Sequence, residues 1–245
     1  MKFILKLLIL SLFSVIKIAE ADTKITIVST IIPPLLMPNQ KNIGFLYELV
    51  NEVNYRVSKN TNNSITFDDN IDFLPWLRAV KTTLNHSNKI LLPLTRLENR
   101  EDDFVWIIKL MEYDFSFFTI KNEVNSIESA RLLESVAVYR GTSHETFLLK
   151  NAFNNLSKAS SVTNARMLNA GRVEAWYSSI PEAKWLWKSL AFENNLIPGK
   201  IIHKSSLWMA GSIHFDRKLI PYFQSSLNEI HKDGTYKNIF DKYFR

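Results

Sequence analysis

The chain has 245 residues, 46% of them hydrophobic, with a formal net charge of +6 and no cysteine. That length suffices for one large domain or two lobes of ordinary size, and core packing must hold it together, since disulfides and thiolate metal sites are excluded. The basic residues are spread out and the five histidines include no H-x-x-x-H pair, so neither a nucleic-acid partner nor a metal centre is expected.

Residues 1–21 read as an export signal. Lys2 supplies a positive start, Leu7 to Ile16 an apolar stretch, and Ala19-Glu20-Ala21 a small-x-small cleavage site before Asp22. The apolar stretch is too short to span a bilayer, and Lys6 and Lys17 bound it. An uncleaved anchor is the alternative. No later stretch approaches 18 apolar residues, so the processed chain is expected to be soluble, keeping +4 of the charge. Asn-x-Ser/Thr triplets at Asn62, Asn85 and Asn155 carry no information in a chain of this composition.

Thr23 to Ser29 alternates and is rich in Ile and Val, which predicts a buried strand stopped by Pro33-Pro34, with a loop running through Asn39. From Gly44, the apolar positions Phe45, Leu46, Leu49, Val50 and Val53 have helical spacing. Ile65 to Phe67 reads as a strand, Leu74 to Leu84 as a helix with Pro75 in its first turn, and Ile90 to Leu94 as a strand. This order predicts an α/β unit with a parallel sheet.

Next comes a charged stretch, Leu94 to Trp106, with Arg96, Glu98, Arg100, Glu101, Asp102 and Asp103 between apolar runs. Charges at the mouth of a buried strand are costly unless they pair or face a cleft. An arginine there suits a carboxylate, because its planar fork matches two oxygens. A solvated loop with surface ion pairs is the plainer reading.

A second α/β unit follows. Val136 to Tyr139 is a strand ended by Gly141, and Thr142-Ser143-His144-Glu145 matches a capping box opening a helix. Ala159 to Val162 reads as a strand, Ala165 to Leu168 as a short helix closed by Gly171, Val173 to Tyr177 as a strand and Pro181 to Leu190 as a helix. Ile201 to Ile213 is a strand-like run, and segments at Phe115 to Ile120 (outward) and Ile201 to Met209 (back) join the units. A helix over Arg217 to Lys232, stopped by Gly234, and a short amphipathic one with Tyr236, Ile239, Phe240 and Tyr243 end the chain.

Taken in order, these segments resemble the bacterial periplasmic solute-binding proteins of the amino-acid-binding type, extracellular solute-binding family 3. The resemblance spans essentially the whole processed chain. It rests on Ile25 to Ser29 with Pro33-Pro34, Gly44-Phe45-Leu46-Tyr47-Glu48-Leu49-Val50, Pro75-Trp76-Leu77-Arg78-Ala79 and Thr95 to Trp106. Val136 to Phe147, Leu168-Asn169-Ala170-Gly171-Arg172-Val173-Glu174-Ala175-Trp176 and Lys232-Asp233-Gly234-Thr235-Tyr236-Lys237-Asn238-Ile239 complete it. Each segment is weak alone; their order and spacing are specific.

The resemblance implies a two-lobed periplasmic-binding-protein fold (type II), each lobe a parallel-type sheet flanked by helices. It places one lobe over residues 22–114 plus 207–245 and the other over 115–206, joined by a two-strand hinge. It implies a periplasmic monomer that closes on a small amino-acid-like or organic-anion ligand and hands it to an ABC-type permease or a membrane sensor, without a cofactor. Arg100 falls where relatives grip the ligand's α-carboxylate, with Thr95 assisting and Asn70 lining the ligand side chain. Gly141, Thr142 and Ser143 match the loop leading into a helix N-terminus, which favours an anion. Trp76 is placed near the cleft. Where relatives carry an acid for the α-ammonium, this chain has Ser178 and Ser179, and a serine cannot supply that charge. An ordinary α-amino acid ligand is thereby put in question. Some relatives are cyclohexadienyl dehydratases, whose chemistry needs a general acid; Glu174 is the nearest candidate by position. No Ser-His-Asp set or phosphate loop is visible, so an enzyme is not expected.

Overall fold

The structure is a computed structural model that describes residues 23–38 and 44–244. The expected export signal and the end of the loop through Asn39 lie outside the described residues. Among them, no helix is long and apolar enough to cross a membrane.

The strands are β1 (Thr23–Ser29), β2 (Ile65–Phe67), β3 (Asp72–Phe73), β4 (Lys89–Thr95), β5 (Phe104–Thr119), β6 (Val136–Tyr139), β7 (Leu156–Ala159), β8 (Ala175–Ser179), β9 (Ile197–Pro198) and β10 (His203–Ser212). The helices are α1 (Phe45–Asn60), α2 (Trp76–Leu84), α3 (Ile127–Arg131), α4 (Ser143–Lys150), α5 (Ser161–Asn169), α6 (Ile180–Ser189), α7 (Ile220–Lys232) and α8 (Thr235–Phe244). Hydrogen-bonded strands follow the order β2-β1-β4-β10-β5-β8-β6-β7. β1 is parallel to β2 and β4, and β6 to β7 and β8, as expected for α/β units. The crossing strands run antiparallel to them.

β5 and β10 connect two bodies. From Phe104 to Phe115, β5 pairs with β10; from Phe115 to Phe118 it pairs with β8 instead. Its 16 residues span roughly 50 Å at strand rise, long enough to run out of one core and into the next. The first body, lobe 1, is packed around Ile25, Leu46, Leu49, Ile90, Ile107, Met209 and Phe223. The opposite face of its sheet buries Val28, Leu91, Leu94 and Ala210 under Trp76 and Ala79 of α2. In lobe 2, strand alternation sends Phe115, Phe117, Val136, Val138 and Tyr177 to one face and Phe118, Ala137 and Trp176 to the other.

α1 buries Phe45, Leu46, Leu49, Val50, Val53 and Val57, the helical stripe read from the sequence. Its entry needs Gly44, which has φ 139°; a Cβ there would stand 2.3 Å from the Leu35 carbonyl oxygen. Phe45 meets Tyr236, Phe240 and Phe244 edge-on at 5.2–5.8 Å, so α8 returns to seal the start of α1. Lys242 and Tyr243 of α8 also bind the Glu48 carboxylate.

Several expected boundaries move. The strand read at Ala159 to Val162 is Leu156–Ala159, because Ser160 accepts from the Thr163 N–H and starts α5 as its N-cap. The strand expected at Val173 to Tyr177 is Ala175–Ser179, which puts Ser179 at the N-cap of α6. Pro75 is the N-cap of α2 rather than part of its first turn.

Candidate functional site

The C-terminal ends of β4, β6 and β8 open on a cleft between the lobes, where sheets of this kind place ligands. The cavity there has about 510 Å³ of empty space, its mouth included. Lobe 1 contributes Thr30, Trp76, Thr95 and Arg100; lobe 2 contributes Tyr139, Thr142, Ser143, Ser179 and Glu182.

Arg100 ends a single 3-10 turn, Glu98–Arg100, that carries it back under β4. Its Nη1 donates to the Thr95 carbonyl at 3.0 Å. Burial lowers its pKa from the ordinary value, but a guanidinium remains charged. Among the described residues, no carboxylate forms an ion pair with it. Arg96 differs: its Nε and Nη2 donate to both oxygens of Glu101 at 2.9 and 2.8 Å. It also sits 5.3 Å from the Trp106 ring and 5.0 Å from the Trp208 ring, within cation–π range.

Across the cleft, the expected capping box at α4 takes another form. The Thr142 hydroxyl donates to the Tyr139 carbonyl at 2.7 Å rather than capping the helix. Glu145 instead accepts from the Gly141 N–H at 2.6 Å and pairs with Lys158 at 2.8 Å. No side chain caps the helix, so its first-turn N–H groups remain as donors at the cleft wall.

The lobes touch. Trp76 Nε1 donates to the Gly141 carbonyl at 2.9 Å, and the Ser143 hydroxyl donates to Thr95 Oγ1 at 3.1 Å. Gly141 has φ 73°, and a Cβ there would come within 3.0 Å of the Leu77 side chain. The cleft is therefore in a closed arrangement.

Of the residues singled out from the sequence, Arg100, Thr95, Trp76, Thr142, Ser143 and Ser179 line this cavity, and Gly141 abuts it through Trp76. Asn70 does not: it is exposed in the turn before β3, outside the cavity lining. Pairing of Asp72 and Phe73 with Val28 and Ser29 extends the chain past the cleft and leaves that turn at the surface. Glu174 also lies elsewhere, accepting from the Glu134 N–H at 2.5 Å beside a different depression. It is no cleft acid.

Sequence reading missed Glu182. It is 4% exposed, in the first turn of α6, and its Oε2 accepts from the Ser178 hydroxyl at 3.2 Å. The Ser161 hydroxyl is beside it. Burial pushes its carboxyl up to about 7, because the charged form loses hydration and gains only hydroxyl donors. The pattern Ser179-x-x-Glu182 was visible and has the same spacing as the Thr142/Glu145 pair. His144, also missed, faces the same cavity; burial, with Arg100 and His203 nearby, lowers it to about 3 and keeps the ring neutral. Among the described residues, no cluster of three or more His, Asp or Glu side chains could hold a metal ion.

No protein-family model matches the chain, and no curated protein matches its sequence. Solved structures do match its fold. A histidine kinase sensor domain with similarity to periplasmic binding proteins superposes with TM-score 0.79 at 16% identity, over 90% of this chain and 96% of its own. An ancestral arginine-binding protein bound to arginine gives 0.76 at 16% identity, over 91% and 99%. The substrate-binding protein of an ABC uptake transporter from Streptococcus pneumoniae, with bound histidine, gives 0.76 at 14% identity, over 92% and 94%. The shared feature is the two-lobed periplasmic-binding-protein fold.

Proposed function

We propose that this chain is a solute-binding protein whose lobes, residues 22–114 plus 207–245 and residues 115–206, close on a small carboxylate-bearing ligand in the periplasm. Delivery to an ABC-type permease is the role that the structural neighbours favour, two of which are named as ABC transporter substrate-binding proteins. The observation that carries the reading is Arg100, a partly buried guanidinium without a carboxylate partner among the described residues. It faces an uncapped helix N-terminus across the cleft. A ligand carboxylate would satisfy both at once, with two-pronged geometry on the arginine and N–H donors opposite. The hinge strands β5 and β10 let the same contacts form or break as the lobes turn.

A thermal-shift screen of small organic acids and amino acids on the purified protein tests this. Saturation at a hundredfold excess over Kd stabilises a binding protein by about 2.7 kcal/mol, a readable rise in Tm. A screen without a single saturable hit would count against the proposal. A receptor-linked role is the second reading, favoured by the likeness to the kinase sensor domain. Co-purification with a membrane partner separates it from uptake.

A further inference from the structure

We propose that the cleft takes an amphiphilic ligand: a small carboxylate joined through a neutral polar link, such as an amide, to an apolar tail that lies in a second interlobe depression beyond the carboxylate cavity. This rests on the reading of Arg100 as the carboxylate anchor and names the ligand class that reading leaves open.

The second depression has about 850 Å³ of empty space, its open side included, against about 510 Å³ for the cavity that holds Arg100. Thr30, Tyr139 and Glu182 line both spaces, so the two are neighbours across one partition. Beyond it the walls are apolar: Ile31, Phe73, Leu74 and Pro75 come from lobe 1, and Val162 and Leu186 from lobe 2. Among the described residues that line this trough, none is basic, and the single carboxyl is that of Glu182.

Closure of the lobes leaves the trough unfilled. The contacts that join them, Trp76 with Gly141 and Ser143 with Thr95, involve none of its residues. Ile31 of lobe 1 stays 52% exposed and Val162 of lobe 2 stays 36% exposed. Apolar side chains on both lips of a closed cleft, at the exit of its cavity, gain burial only from something that lies between them.

The partition sets the chemistry of what crosses it. The Tyr139 hydroxyl meets Thr30 from the other lobe, and Glu182 is served by the Ser178 and Ser161 hydroxyls. Burial shifts both Tyr139 and Glu182 toward their neutral forms. A hydrocarbon chain lying there would leave polar groups without partners, whereas an amide offers them one N–H and one carbonyl. A compact ligand fills the cavity and leaves the trough empty. A ligand with head, link and tail occupies all three zones.

Isothermal titration of the purified protein with N-acylglycines from acetyl to octanoyl tests the proposal. The expected result is affinity that rises about fourfold per methylene once the tail passes the partition, the gain of taking one such group out of water. An alkanoate matched in length to the octanoyl compound should bind roughly tenfold more weakly, because it presents no amide. Ile31→Ser combined with Val162→Ser, both at exposed positions, should cut the octanoyl-over-acetyl gain by about tenfold. Flat or falling affinity along the series, equal binding of the matched alkanoate, or a gradient that survives the double substitution overturns the proposal while leaving the carboxylate-binding reading intact. If no member of either series binds, that reading fails and this one with it.

Discussion

Arg96 and Arg100 stand four residues apart in one charged loop, yet only one is spent on its own chain. Arg96 is held by both oxygens of Glu101 and by two indole rings at the rim, whereas Arg100 gives a single hydrogen bond to a backbone carbonyl and keeps the rest of its fork free for the cleft. Arg100→Ala should therefore abolish carboxylate binding, a loss of about 2–5 kcal/mol or at least thirtyfold in Kd. Arg96→Ala should weaken it only slightly. Calorimetry on both variants decides, and equal losses would sink the assignment. The charged stretch was legible in the sequence because it lies directly after a strand that must be buried, whereas the choice of Arg100 over Arg96 came from the resemblance. Glu182 was not legible, because reading stopped at the serine where relatives carry an acid. It stands three residues on, in the first turn of a helix that begins after Ser179. Asn70 fails for a related reason: spacing places it near the helix, but the short pairing of β3 with β1 decides which way the turn faces.

At the level of elements, the strands bounded by breakers and made of alternating β-branched residues, β1, β2 and β6, were read at their actual limits. β5 was read only from Phe115 onward, over its last five residues. Lys109 and Glu112 interrupt its pattern, and they are exposed because this ribbon lies partly outside either core. β7 slipped because Ser160 works as a cap, a choice the neighbouring Ser161 and Val162 conceal in the sequence. The most consequential contact between elements is α1 with α8 through Phe45, which is fully buried among three aromatic rings. Phe45→Ala should cost about 3–5 kcal/mol, by lost burial and the cavity left behind. For a chain of this size, that is a Tm lower by roughly 10 °C. A drop below 3 °C in a thermal melt would mean that α8 repacks freely.

For the whole molecule, two groups in the cleft make stability depend on pH in opposite senses. Glu182 titrates at about 7 folded against an ordinary value of 4.5, so its contribution is fully favourable below 4.5 and is lost as pH rises through 7, on the order of 3 kcal/mol in all. His144 titrates at about 3 folded against 6.5, so stability is lost as pH falls from 6.5 toward 3. Together they predict a rise in stability from pH 3 to 4.5, near cancellation up to 6.5, and a small decline that levels off just above pH 7. Urea unfolding across that range checks the profile, and Glu182→Gln should turn the flat region between pH 4.5 and 6.5 into a continued rise. The order of strands and helices made the two-lobed architecture readable at this scale. How the lobes meet was not readable, since the bonds from Trp76 to Gly141 and from Ser143 to Thr95 join residues 65 and 48 positions apart.

The path of the chain through β5 and β10 also sets an order of assembly. Lobe 2 is one unbroken segment whose two ends are held together by the pairing of Phe115 with His203. Lobe 1 is split: the strand beside β4 and two of its helices, α7 and α8, come after residue 202, so its first hundred residues must wait for partners made last. A nascent chain can finish the interrupting lobe while the interrupted one still exposes Phe45 and half of a sheet edge. Pulse-labelled hydrogen exchange during refolding should accordingly protect β6 and β8 before β1 and β4.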